Sequence, residues 1–254
     1  MQPNQPPPFT RPRIVAHRGA SHDAPENTLA AFRRAWALGV EAVELDVHVT
    51  SDGQVVVVHD PSTKRITGVD LVIAEHTLAE VQALDVGAWK GPQFAGERMP
   101  TLHDVLATIP PRRSLFVEIK SGITTVPVVA AAIRDGAPTS ATILLQGFDP
   151  DVLAALAAAV PNAAAYWTLD PPLDDRGQVL PYPRTVIAAA TRRGFVGLAL
   201  LLESVDEGFL AAAQQASIEV DVWTANDAKL LAGWSKRDVR WIETDRPDLA
   251  PVGP

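Results

Sequence analysis

Eight short apolar runs, most of them separated by stretches patterned for a helix, constrain this chain more than any other feature. The runs fall at residues 13–17, 42–48, 115–120, 141–146, 163–168, 196–201, 218–223 and 239–243. The helical patterns fall at 28–38, 126–134, 151–159, 184–193, 206–216 and 227–235. Strands that alternate with helices pair in parallel through right-handed crossovers. Eight such units predict a closed α/β barrel of the TIM (β/α)8 type; an open doubly wound sheet is the alternative. The 254 residues suit one such barrel, and 47% of them are hydrophobic, enough to fill it.

One connection is too long for a simple crossover. Between residues 48 and 115 the chain places an extra apolar run at 55–58, introduced by the turn Ser51-Asp52-Gly53. Glycines and prolines follow, with short helical pieces at 77–84 and 102–107. Residues 61–99 are expected to form a small insertion subdomain over the barrel mouth, as a lid or as an accessory pack. Residues 13–250 then make the barrel domain. Residues 1–12 are proline-rich and polar, and are expected to form a flexible arm.

Composition narrows the function classes. A net charge of −8 and a pI near 5.2 argue against nucleic acid as a partner, because that needs a basic face. With no cysteine, disulfides and thiolate metal sites are excluded, so any metal is held by oxygen or imidazole. No apolar run is long enough to span a bilayer, and the N-terminus lacks a signal-peptide pattern. The expected location is the cytoplasm. Nothing in the sequence speaks to oligomeric state.

The polar residues inside the strands carry the chemistry. In the second run, Val43, Leu45, Val47 and Val49 alternate with Glu44, Asp46 and His48. The apolar set should face the helices and the polar set the barrel axis or mouth. Two carboxylates on one buried face need a cation or basic side chains beside them; otherwise the strand must be a solvated edge. In the third run, Glu118 and Lys120 share the inner face near the C-terminal end, where such barrels keep their sites. Glu118 is a candidate third ligand, or half of a structural Glu–Lys pair. His17 and Arg18 end the first run, and His59-Asp60 ends the extra one. Imidazole serves proton transfer and guanidinium grips an anionic oxygen, with Asp60 as orienter of His59 or as a turn former. Glu26 and Asn27 read as helix-cap residues. Trp223 shares the inner face with Asp221, as a pocket wall or a core plug.

These pieces, in this order, resemble the glycerophosphodiester phosphodiesterase family of phospholipase-C-like barrels. The matching text is His17-Arg18-Gly19, Pro25-Glu26-Asn27-Thr28, Glu44-Leu45-Asp46, His59-Asp60, Glu118-Ile119-Lys120, Trp223-Thr224-Ala225-Asn226 and Thr244-Asp245-Arg246-Pro247. The insertion adds Trp89, Phe94-Ala95-Gly96-Glu97 and Pro100-Thr101-Leu102 in the family's style. The likeness covers nearly the whole chain after the arm. It implies that His17 and His59 are catalytic and that Glu44, Asp46 and Glu118 bind one divalent cation. It also implies that Arg18 and Lys120 contact the phosphate and that Trp223 lines the pocket for the alcohol. Hard carboxylate ligands point to Mg²⁺ or Ca²⁺. Two departures stand out. Gly147 follows Gln146 where the family tends to have serine, and Glu243 precedes Thr244 where a neutral residue is commoner. Glu243 is expected to bear on head-group preference.

The reaction so implied is hydrolysis of a small glycerophosphodiester to glycerol 3-phosphate and an alcohol. A lysophospholipase D or sphingomyelinase-D-like activity is the nearest alternative, and a longer apolar groove near Trp223 and the insertion would favour it. A non-catalytic barrel that binds phosphodiesters is another, but no histidine or carboxylate of the set is missing. Sugar isomerisation does not explain a His-Arg pair beside a second histidine.

Overall fold

A computed structural model describes residues 11–250 of the chain; the expected arm over residues 1–12 falls almost wholly outside them. The described residues form nine strands: β1 (Arg13–Ala16), β2 (Ala42–Val49), β3 (Val55–Val57), β4 (Ser114–Ile119), β5 (Thr142–Gly147), β6 (Ala164–Leu169), β7 (Gly197–Leu201), β8 (Glu219–Trp223) and β9 (Trp241–Thr244). They run β1-β9-β8-β7-β6-β5-β4-β2-β3, and β1 also pairs in parallel with β2. That last pairing closes eight parallel strands into a TIM barrel and rules out the open sheet. The ninth, β3, is antiparallel to β2 through Val47, His48 and Val49. It takes over the edge of β2 that β1 leaves, and so brings its own C-terminal end back to the barrel mouth.

Strand alternation sorts the side chains as the sequence predicts. Val43, Leu45, Val47, Leu115, Val117 and Ile119 pack outward into the large core beneath the helices. The inner face is floored by Val15, Ala42, Phe116, Leu144, Tyr166 and Trp241. Phe116 meets Tyr166 and Trp241 edge-on at 5.4 and 5.2 Å, and Tyr166 hydrogen-bonds Glu219 and the Trp241 indole. This aromatic floor closes the barrel from below. The polar inner residues above this floor can therefore meet solvent only at the C-terminal mouth.

The helices are α1 (Leu29–Ala37), α2 (Lys64–Thr67), α3 (Leu78–Gln82), α4 (Leu102–Leu106), α5 (Val126–Gly136), α6 (Pro150–Ala159), α7 (Thr185–Arg193), α8 (Glu207–Gln215) and α9 (Ala228–Trp234). Their starts are written locally: Thr28, Asp149, Asp206 and Asp227 each accept a backbone N–H as N-caps, and Thr77 and Thr101 form capping boxes with Glu80 and Asp104. Thr28, and neither Glu26 nor Asn27, is thus the cap of α1. Residues 61–99 pack Ile66, Ile73, Val81, Val86 and Met99 with Val56 and Val58 into a core separate from that of the barrel. The chain then returns along β3, where Val57 N–H donates to Pro100.

The candidate active site

The site begins with a strained turn. After β1 the backbone is left-handed at Arg18 (φ 56°) and Gly19 (φ 80°). A Cβ at Gly19 would lie 2.7 Å from Ala31, so glycine alone lets this turn lie on α1. The turn is pinned from inside the barrel, where Arg18 N–H donates to Glu44 Oε2 at 2.9 Å. Arg18 then reaches Asp46 Oδ2 through Nε (3.3 Å) and Glu26 Oε1 through Nη1 (3.0 Å).

Three carboxylates meet at the centre. Oxygens of Glu44, Asp46 and Glu118 lie within 4.8 Å of one another, and all three residues are buried. Lys120 Nζ bridges Glu118 Oε1 at 2.7 Å and Asp46 Oδ1 at 3.1 Å. Asn27 donates to Asp46 Oδ2 at 2.8 Å, so it is a site residue and not a cap. Burial works against the Asp46 carboxylate, but Lys120 and Arg18 outweigh it and hold its pKa below the usual range. Burial pushes Glu44 well up, with Asp46, Glu243 and Glu118 adding to the effect. Burial also raises Glu118, against the pull of Lys120. Glu44 Oε1 is buried without a hydrogen-bond partner among the described residues. Three carboxylates against two cationic side chains, with one acceptor unused, fit a hard divalent cation held by oxygen.

Both histidines are backed by a carboxylate. His17 Nδ1 hydrogen-bonds Asp245 Oδ1 at 2.7 Å, and Asp245 also takes Ser21 and Asn226. Burial opposes the charged imidazole, yet the Asp245 bond raises the His17 pKa above its ordinary 6.5; Asp245 itself falls to about 2. His59 Nδ1 hydrogen-bonds Asp60 Oδ1 at 2.6 Å, and His48 Nε2 donates to the His59 carbonyl at 3.0 Å. Asp60 is shared with Arg65, whose Nε lies 2.6 Å from Oδ2. Burial lowers the His59 pKa below 6.5, and Arg18 adds to that against the pull of Asp46 and Asp60. Arg65 also grips both oxygens of Glu26, at 2.9 and 2.7 Å. Glu26 therefore joins the insertion to Arg18 and caps nothing.

A further polar layer lies deeper in the barrel. Gln146 Nε2 donates to Asp221 and Glu243, both at 2.9 Å. Burial pushes Asp221 to about 7 and Glu243 well above the carboxylate range. Glu243 is 3% exposed and near His17 and Glu44, so it lies inside the barrel rather than on a substrate-facing rim. Trp223 ends β8 on the same face as Asp221, half-buried, with its indole nitrogen shielded and unpaired among the described residues. An open cavity of about 330 Å³ lies against His17 and Arg18; Trp89, Lys90 and Asn226 line it and Trp223 does not.

The same architecture occurs in solved proteins. Residues 17–249 match the model of the glycerophosphoryl diester phosphodiesterase family. This chain belongs to that family. A glycerophosphodiester phosphodiesterase from Caldanaerobacter subterraneus is 47% identical over 115 residues, which is 45% of this chain and 47% of the relative. The chain thus matches only about half the length of such curated relatives. Solved structures match along most of their length. A phosphodiesterase from Oleispira antarctica, in complex with the product sn-glycerol-3-phosphate, superposes with a TM-score of 0.84 at 27% identity, over 93% of this chain and 94% of that one. A glycerophosphodiester phosphodiesterase from Agrobacterium tumefaciens gives 0.76 at 26% identity, over 94% and 98%. No helix among the described residues is long and apolar enough to cross a membrane.

Proposed function

We propose that this family member hydrolyses glycerophosphodiesters to glycerol 3-phosphate and an alcohol. The carrying observation is the meeting of Glu44, Asp46 and Glu118 with Arg18 and Lys120 at one barrel mouth, flanked by two carboxylate-backed histidines. The product bound by the Oleispira relative is the one this reaction would yield. Glu44, Asp46 and Glu118 would hold a divalent cation, Mg²⁺ or Ca²⁺, whose chemistry is Lewis-acid polarisation of a phosphoryl oxygen. Arg18 and Lys120 take up charge that grows on the phosphoryl oxygens in the transition state. His59, neutral at pH 7 by its lowered pKa, accepts the proton of the nucleophile, whether water or a substrate hydroxyl. The nucleophile's oxygen bonds to phosphorus as the phosphorus–oxygen bond to the head group breaks, and His17, the better proton holder, protonates the departing alkoxide. A substrate hydroxyl as nucleophile leaves a cyclic phosphate, which water then opens to glycerol 3-phosphate. The cytoplasm is the proposed location and a small diester the proposed partner.

Turnover of a panel tests the reading: glycerophosphocholine, glycerophosphoethanolamine, glycerophosphoinositol, lysophospholipids and bis(p-nitrophenyl) phosphate, each with Mg²⁺, Ca²⁺ and chelator. Release of glycerol 3-phosphate is expected, and failure on every diester would end the proposal. A lysophospholipase D reading gains from one observation. Ile123, Phe148, Leu173, Val179 and Leu180 are exposed on loops that follow β4, β5 and β6, around the same mouth. Faster release of lysophosphatidic acid from the lysophospholipid arm would favour that reading.

Arg65 ties His59 to Arg18 through Asp60 and Glu26, so it positions both without touching the phosphate. Arg65→Ala is expected to lower kcat about 10- to 100-fold, the scale for losing a group that holds first-rank residues in place. Arg65→Lys should recover only part, since an ammonium cannot make the planar two-oxygen contact. Equal activity in all three proteins would show that the clamp is idle.

A further inference from the structure

The cavity beside His17 has a charge pattern that bears on substrate choice. Arg18 is matched by Glu26 and Asp46, Asp245 by His17, and Arg246 by both oxygens of Asp248 at 2.9 Å. Lys90 differs. Its ammonium donates to the Ser21 carbonyl at 2.7 Å, and among the described residues it pairs with no carboxylate. It also sits 5.5 Å from the centroid of the Trp89 ring. A bare aromatic face at a cavity wall would attract a quaternary ammonium. Here that face already carries a cation, and the cation is the uncompensated charge of the wall.

From this we propose that Trp89 and Lys90 form a head-group subsite that selects glycerophosphodiesters with polyol or anionic head groups and disfavours those with an ammonium. The inference rests on the hydrolase reading above and adds the substrate class to it. The cavity opens from His17, where the leaving oxygen would face, and at about 330 Å³ it has room for a head group the size of inositol. Two like charges about 6 Å apart in a half-solvated site repel by enough to change kcat/KM roughly 3- to 10-fold.

The test compares kcat/KM for glycerophosphoinositol and glycerophosphocholine, using the full chain loaded with Mg²⁺ or Ca²⁺. The readout is the ratio of the two substrates within each protein. Lys90 also holds Ser21, which hydrogen-bonds the His17 carbonyl, so a loosened turn would slow both substrates together and leave their ratio alone. The wild type is expected to prefer the inositol diester. Lys90→Gln should cut the ratio about 3- to 10-fold, and Lys90→Glu should cut it further, toward preference for choline. Added salt should shrink the wild-type preference, because the subsite is open to solvent. If the glutamate variant does not fold, the glutamine variant and the salt series decide. A ratio unchanged in the variants, with glycerophosphoinositol still turned over, overturns the subsite. Absence of turnover on any diester by the wild type would instead defeat the hydrolase reading, and the subsite with it.

Discussion

Asp46→Asn, or removal of divalent cations by EDTA, is expected to abolish turnover while leaving the barrel folded. Asp46 is the best-served carboxylate of the cluster, with Lys120, Arg18 and Asn27 all within 3.3 Å. An asparagine there keeps the shape but leaves Glu44 and Glu118 as the only carboxylates of the three-carboxylate cluster, with Lys120 on Glu118 and Arg18 on Glu26, so the site loses its pull on a further positive charge. The fold should tolerate this, because the same change relieves repulsion between neighbouring carboxylates on adjacent strands. Melting curves separate the two effects. A cation at about 100 times its Kd adds about 2.7 kcal/mol to the native state. In a domain of this size that raises Tm by roughly 5–10 °C. The wild type should show the rise and Asp46→Asn should lose it, with its cation-free Tm close to that of the wild type. Full activity in excess EDTA would remove the cation from the mechanism.

The parts of the site legible in the sequence are those fixed by period-two alternation. Glu44, Asp46, Glu118 and Lys120 face inward because Val43, Leu45, Val117 and Ile119 must face the helices, and Asp46 lies directly opposite Glu118 in the register. Partners across long chain distances are not written locally. Asp245 reaches His17 from 228 residues away, and Arg65 reaches Glu26 from 39. Asp245 had two usable signals, the Thr244-Asp245-Arg246-Pro247 text shared with the family and its place directly after β9 at a strand C-terminal end, where barrel sites gather. Arg65 had none, since a basic residue in a glycine-rich insertion reads as solvated surface. Glu26 and Asn27 misled because they precede a true cap; only the left-handed backbone of Asn27 (φ 57°) turns its amide to Asp46. The last strand shows a smaller offset of the same origin. Val239 looks like strand and packs in the outer core, but regular pairing with β8 begins at Trp241. Deeper in the barrel, only Asp221 of the Gln146–Asp221–Glu243 layer reads as inward from its alternation with Trp223; Glu243 reads as a head-group residue, and the hydrogen bonds that join the three depend on the barrel closing.

Loss of either histidine should be nearly as costly as loss of the cation. His17→Ala and His59→Ala are each expected to cut kcat by at least about 10²-fold, the usual scale for a lost general acid or base. The double mutant should be little worse than either single one, since groups acting as a unit are not additive. The two environments then predict which mutant can be helped. Asp245 is committed to His17, with Ser21 and Asn226 as its other partners and no cation among them. Asp60 divides its charge between His59 and Arg65, and Arg18 opposes a charged His59. His17 therefore keeps its proton above its ordinary 6.5, and His59 gives its proton up below it. The base must be neutral and the acid protonated. Activity should rise as pH climbs through the His59 pKa and fall as it passes that of His17, in a bell that straddles pH 6.5. Nitrophenolate leaves without a proton. A nitrophenyl diester should thus restore much of the rate to His17→Ala and flatten the alkaline limb, while His59→Ala stays slow. Rescue of His59→Ala instead would exchange the two roles, and wild-type rates in either mutant would make that histidine structural.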